Sequence, residues 1–171
     1  GIKSKKYKKN LSNTTIDPIQ LSKILNKLKK QNINNVIMEA SSHGLSQNRL
    51  DGLLFNTGIF TNLSQDHLDY HKNTKNYLKA KLYLFEKLIK KGGNIITDEK
   101  IPEFKKIKNI ATNKNLNLFS LLDKKNSFQF LSHQYEGEYQ LLEIKYKNSI
   151  HKIKLNLIGK VQFKNVLMAV I

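Results

Sequence analysis

The chain has 171 residues, 39% hydrophobic and 25% charged, which is one domain's worth with enough apolar material for an ordinary core. It contains no cysteine, which excludes disulfides, thiolate metal sites and a cysteine nucleophile. The formal net charge is +17, yet 29 of the 30 basic residues are lysines spread through every segment and Arg49 is the single arginine. Recognition of bases and phosphates favours arginine forks, so the charge reads as a compositional drift toward Lys, Ile and Asn, and no nucleic-acid partner is expected. No apolar run reaches membrane-spanning length and the N-terminus lacks a secretory signal, so a soluble, cytoplasmic protein with no membrane partner is expected.

Residues 1–12 are polar and basic and predict a loop or frayed strand. Asp17-Pro18 opens a helix, with a capping carboxylate followed by proline in the first turn. Leu21, Ile24, Leu25 and Leu28 then recur at helical spacing, giving an amphipathic helix over 18–31. Val36-Ile37-Met38 is a short continuous apolar run of the kind that forms a strand buried on both faces of a parallel sheet, and Gly58-Ile59-Phe60 predicts the next strand. A long helix is expected over about 73–91, stopped by Gly92-Gly93, with Asn94-Ile95-Ile96-Thr97 as a third strand. Helix alternating with buried strand predicts an α/β fold, a mostly parallel doubly wound sheet flanked by helices. Residues 103–132 are poorly periodic. Tyr139–Tyr146 and Ile150–Leu157 alternate like an antiparallel hairpin turning near Lys147-Asn148, and 160–171 reads as a helix that stops in mid-course, so both ends of the chain look cut.

Four features carry chemistry. Glu39 leaves a predicted strand into the loop Ala40-Ser41-Ser42-His43-Gly44; open α/β sheets bind ligands at the carboxyl ends of their strands, and such a carboxylate either holds a metal or has simply reached solvent. Arg49, alone in a lysine-rich chain, suits planar capture of a carboxylate or phosphate, or is a chance surface survivor, with Ser41, Ser42 and Gln47 as neutral donors nearby. Asp66-His67-Leu68-Asp69-Tyr70-His71 could bind a metal, His67 and His71 being spaced like a helical zinc pair, or could be a helix-capping turn. Lys81 falls inside the apolar stripe drawn by Leu78, Leu82, Phe85 and Ile89, at about 300° when Leu78 is placed at 0°. A lysine there lowers its pKa, snorkels, or has its charge chemically changed. Neither a G-x-x-x-x-G-K-[ST] loop nor a G-x-G-x-x-G fingerprint occurs, so a phosphate cradle, if one is used, lies outside these residues.

Asn13-Thr14-Thr15, the run from Met38 to Arg49 (MEASSHGLSQNR), the run from Phe60 to His71 (FTNLSQDHLDYH) and Ala80-Lys81 together resemble the central domain of the Mur ligases, and within them the MurE branch. The similarity is dense over 13–97, thin over 98–150, and returns at Leu157-Ile158-Gly159 and Asn165. The resemblance implies a partial central, ATP-binding domain of a larger monomeric ligase, lacking the upstream phosphate loop and the N-terminal UDP-binding and C-terminal domains. It implies ATP-dependent addition of meso-diaminopimelate to UDP-MurNAc-L-Ala-D-Glu through an acyl phosphate, in peptidoglycan synthesis, with ATP, the nucleotide-linked dipeptide and the diamino acid as partners. By the same resemblance, Asn13, Thr14, Thr15, Ser41, Gln47 and Arg49 bind the UDP-MurNAc-dipeptide. Glu39 and His67 hold Mg2+, and Lys81 is carbamylated so that its added carboxylate helps hold a second Mg2+, an oxygen ligand suited to a hard ion. Gln162 stands where the family pattern has asparagine. The alternatives are an L-lysine-adding or other Mur or folylpolyglutamate ligase, a zinc hydrolase built on His43, His67, His71 and Asp66, and a basic nucleic-acid-binding module.

Overall fold

A computed structural model describes residues 2–4, 7–11, 14–64, 66–123, 126, 128–157 and 159–171; Asn13 lies outside the described residues. The chain divides into two compact units, Gly1–Leu54 with Ser64–Leu88, and Phe55–Leu63 with Ile89–Ile171.

In the first unit, strands β1 (Ile2–Lys3) and β2 (Lys8–Lys9) form a short antiparallel pair. Helix α1 (Pro18–Lys30) begins where the sequence places it: Asp17 accepts hydrogen bonds from the amides of Ile19 and Gln20, and proline occupies the first turn. It buries Leu21, Ile24 and Leu28 and ends in Lys27, Lys29 and Lys30, which oppose the helix dipole. The next expectation fails. Residues 33–40 are not a strand, and Val36 and Ile37 are 48% and 101% exposed. An apolar run becomes a buried strand only beside a neighbour that takes up its amides and carbonyls, and among the described residues no strand pairs with this segment.

Helix α2 (Ser42–Ser46) follows at once, with Ser41 as N-cap accepting from the Gly44 amide. Helices α3 (Leu68–His71) and α4 (Thr74–Tyr83) complete this unit. Asn73 caps α4, accepting from the Asn76 amide at 2.8 Å. The long helix expected to reach residue 91 is regular only to Tyr83; it widens into a π-helical turn at Leu84–Leu88 and stops. Its apolar stripe is real, burying Tyr77, Leu78, Leu82, Phe85 and Leu88.

In the second unit, β3 (Phe55–Phe60), β4 (Ile89–Thr97) and β5 (Asn117–Ser120) form a parallel sheet in that order. Gly92-Gly93 is therefore not a helix stop but lies inside β4. The register passes from Phe55↔Ile89 to Thr57↔Asn94, so the strand bulges there. Gly92 has φ +70°, and a Cβ on Gly93 would come 2.8 Å from the Asn56 carbonyl oxygen and 2.9 Å from that of Lys90. The segment read as poorly periodic holds helix α5 (Phe104–Lys114), the crossover that parallel strands require, as well as β5 and the start of β6 (Phe128–Glu136). The expected hairpin is present as β7 (Tyr139–Tyr146) and β8 (Ser149–Leu155), with Lys147 at φ 53° in the turn. β6 pairs on the other side of β7. A register shift between Phe130 and Ser132 breaks the alternation that would have announced it. Helix α6 (Lys160–Val170) closes the unit.

Ile96, Leu121, Ile144, Leu167 and Met168 form the core of the second unit, with Phe119, Phe130, Ile153 and Phe163 packed against them. Parallel sheet, antiparallel sheet and α6 thus share one apolar centre. Asp98, just past β4, is almost wholly buried and pairs with Lys164 of α6 at 2.5 Å, which supplies the partner a buried carboxylate needs. The α/β architecture with an antiparallel addition agrees with the sequence. Among the described residues, no helix is long and apolar enough to cross a membrane.

Candidate functional site

Motif residues 14–15, 39–49, 66–71 and 80–81 lie in the first unit, grouped around α2, while residues 60–63 of the run that ends at His71 belong to the second unit. Thr15, 4% exposed, is the hub. Its hydroxyl donates to the Glu39 carbonyl oxygen (3.1 Å) and accepts from the Ser41 amide (3.0 Å) and the Ser41 hydroxyl (2.9 Å). That fills the hydrogen-bonding capacity of a hydroxyl group. The Ser41 hydroxyl in turn accepts from the Gly44 amide at 3.1 Å. Arg49 reaches back to the same segment, donating from Nη1 to the Thr15 carbonyl at 2.7 Å. One edge of the guanidinium therefore anchors the chain before α1, and a planar fork has further donors to offer. Gly44 faces this hub so closely that a Cβ there would lie 2.5 Å from Thr15 Cβ and Cγ2. Thr14 is exposed. With Thr15 and Glu39 it lines a groove of about 400 Å³ along α1 and the extended segment.

A second group of side chains is built from rings. His43 of α2 lies 4.9 Å from His67, 4.1 Å from Tyr70 and 5.5 Å from His71, centroid to centroid. Tyr77 of α4 stacks on His71 (5.2 Å) and meets His67 edge-on (6.0 Å). Lys81, one turn further along α4, is half-buried and places Nζ 5.1 Å from the centre of the Tyr77 ring and 3.5 Å from its hydroxyl. The helical projection places Lys81 inside the apolar stripe; in the structure it is only half-buried, beside the ring that also meets His67.

His67 adopts left-handed backbone angles, φ 57° and ψ 24°, a conformation that costs a non-glycine residue energy and clusters at functional positions. Asp66 does not cap α3. Its Oδ1 accepts from the His67 amide at 2.8 Å, and its other oxygen stands 3.6 Å from His67 Nε2. His71 is 6% exposed, with Nε2 3.0 Å from the Ser42 hydroxyl. Burial first, and then the charges of His43 and His67, hold its pKa below the usual imidazole value, against a smaller opposing effect of Asp69. His71 is thus packed within the cluster, in surroundings that disfavour its charged form. Tyr77 is pushed above the usual phenol value by burial and by the charge of Asp66.

Tyr70 is the site residue that sequence reasoning left without a role. Its hydroxyl lies 3.2 Å from the Ser46 hydroxyl and accepts from Gln47 Nε2 at 3.0 Å. These two hydrogen bonds, in that order, lower its pKa, and the Arg49 charge lowers it further while burial opposes. The signal was present in the sequence only as a tyrosine inside the Asp/His cluster.

For metal binding, the donors in hand are the exposed Glu39, the His67 imidazole with its side chain 45% exposed, and Lys81. An outward carboxylate and an accessible imidazole fit a divalent ion in kind, and a carbamate on Lys81 would add oxygen atoms. Among the described residues, no three His, Asp or Glu side chains are grouped as a ready-made metal site.

The family model of the Mur ligase middle domain matches residues 2–171. A protein of Chelativorans sp. named UDP-N-acetylmuramoyl-L-alanyl-D-glutamate–2,6-diaminopimelate ligase is 35% identical over 156 residues, 91% of this chain and 32% of that protein. A relative of the same name from Wigglesworthia glossinidia brevipalpis is 54% identical over 80 residues, 47% of this chain and 16% of that protein. A solved structure of a ligase of that name superimposes with TM-score 0.75 at 26% identity, covering 91% of this chain and 32% of the other. A solved complex titled FPGS-AMPPCP shares the fold alone, at TM-score 0.56 and 12% identity over 89% of this chain and 42% of that one. The chain spans about a third of the length of the first of these relatives.

Proposed function

The chain belongs to the Mur ligase family, as its middle domain, and from that premise we propose that it serves an ATP-dependent ligase adding meso-diaminopimelate to UDP-MurNAc-L-Ala-D-Glu in peptidoglycan synthesis in the cytoplasm. The observation that carries this reading is convergence. Residues 14–15, 39–49, 66–71 and 77–81, scattered in sequence, meet in one unit as a hydroxyl hub and a ring cluster.

In the proposed reaction a carboxylate oxygen of the acceptor takes the γ-phosphoryl group of ATP, releasing ADP and leaving an acyl phosphate. The amine of the diamino acid attacks the carbonyl carbon, the C–O bond to phosphate breaks, and the amine loses a proton. Glu39, His67 and a carbamylated Lys81 would hold Mg2+, which when bound supplies positive charge against the phosphoryl oxygens. The carbamate forms when the neutral Lys81 amine bonds to carbon dioxide and sheds a proton. The Tyr77 ring lies beside that nitrogen, its centre 5.1 Å from Nζ. Thr14, Ser41, Gln47 and Arg49 would bind the acceptor. Thr15 contributes as the hub that holds Ser41 and Arg49 in place, since its own hydroxyl is already occupied.

The test is Lys81→Ala in the full-length ligase. Ligation should fall by at least about a hundredfold, as for removal of a charge-stabilising group, and short carboxylic acids should restore part of it. Undiminished ligation without rescue would refute the carbamate.

A further inference from the structure

We infer that Tyr70 is a further substrate-contact residue, whose hydroxyl donates a hydrogen bond to an anionic oxygen of the nucleotide-linked acceptor while holding Gln47 in its binding orientation. The inference rests on the proposed role of Gln47 and Arg49 and extends that site. It follows from counting protons. The Tyr70 oxygen accepts from Gln47 Nε2 at 3.0 Å, so the Gln47 amide is held with its nitrogen turned toward the ring and its carbonyl oxygen left for other partners. The Ser46 hydroxyl has a single proton and two acceptors within reach, the His43 carbonyl at 3.0 Å and the Tyr70 oxygen at 3.2 Å.

When Ser46 donates to His43, Tyr70 gives its own proton to Ser46. When Ser46 donates to Tyr70, both lone pairs of the phenol are filled and its proton is free for a ligand. An anionic oxygen selects the second arrangement at the cost of two hydroxyl rotations, Ser46 turning from the His43 carbonyl to the phenol and Tyr70 from Ser46 to the ligand. The surroundings fit that chemistry. Tyr70 is 40% exposed, the other groups hydrogen-bonded to it are neutral, and the Arg49 charge is near enough to favour negative charge at the phenol. The ring is braced by His43 at 4.1 Å and His71 at 4.8 Å, so the hydroxyl is aimed before ligand arrives.

The experiment uses the full-length ligase with Tyr70→Phe, which keeps the ring and its packing. The acceptor's Kd should rise roughly 10- to 100-fold, as for one hydrogen bond to a charged group, with KM rising more than kcat falls. Loss for the full acceptor but not for the analogue lacking D-glutamate assigns the contact to the carboxylate; equal loss for both assigns it to a phosphoryl oxygen. Unchanged Kd for both overturns the inference. If Arg49→Lys and Gln47→Ala weaken binding while Tyr70→Phe does not, only the Tyr70 role fails; if none of the three does, the binding site itself has been misassigned. Should Tyr70→Phe melt early, 3-fluorotyrosine at position 70 gives an independent reading. Its fluorine resonance should shift on adding acceptor, and a fixed resonance at saturation overturns the contact.

Discussion

Replacing Gly44 by alanine isolates the packing on which the hydroxyl hub depends. Two effects oppose each other. Alanine is the better helix former by about 1 kcal/mol, and Gly44 lies inside α2. Against that, the new Cβ would sit 2.5 Å from Thr15 Cβ and Cγ2 and 2.9 Å from its Oγ1, where carbon atoms prefer about 3.5–4.0 Å. Thr15 cannot swing aside cheaply. It is buried, β-branched and stiff at χ1, and it is tied by hydrogen bonds to Glu39, Ser41 and Arg49. Overpacking costs about 1–3 kcal/mol, and each hydrogen bond lost as Thr15 retreats adds about 0.5–1.5. The clash therefore outweighs the propensity, leaving a net loss of about 2 kcal/mol. Hydrogen exchange in the full-length protein should show the Ser41 and Gly44 amides opening roughly thirtyfold more readily, and the acceptor's KM should rise because Ser41 and Arg49 hang on the same residue. An alanine variant equal to or more stable than the parent would refute the reasoning, since helix propensity would then have won and the close approach would carry no weight.

Arg49→Lys should lose both the bond to the Thr15 carbonyl and the fork geometry. Acceptor affinity is expected to fall about tenfold or more, and isothermal titration with the nucleotide-linked dipeptide checks it; unchanged affinity would count against the fork. The pH dependence of stability should report His71. Its folded-state pKa lies below the unfolded value of 6.5, so its contribution is fully present above 6.5 and is lost as pH falls toward the lower folded value, the unfolded chain binding the proton first. His71→Gln should flatten the melting temperature between pH 7 and the acid limb. A parent curve just as flat would show that burial does not shift this imidazole.

Local chemistry in the chain was sufficient for much of the fold. Asp17-Pro18 starts α1 because a carboxylate satisfies free amides and proline lacks one. The apolar stripe of α4 and the alternation of β7 and β8 are likewise written in neighbouring residues. The same reading went wrong at Val36-Ile37-Met38. Hydrophobicity states that a segment gains from cover, but whether a strand lies beside it depends on residues far away. It went wrong again at Gly92-Gly93, where two glycines look like a helix stop until the carbonyl of Asn56 is seen occupying the space a Cβ would need. The site divides in the same way. Glu39, Arg49, His67 and Lys81 stood out by residue type and spacing, and the family motif grouped them. That the Thr15 hydroxyl is spent on Glu39 and Ser41, that one edge of Arg49 is used on a carbonyl 34 positions away, and that Tyr70 receives Gln47 could be learned only from the folded chain. Propensity and capping act between near neighbours, whereas hydrogen-bond partners across loops are fixed by which surfaces pack together.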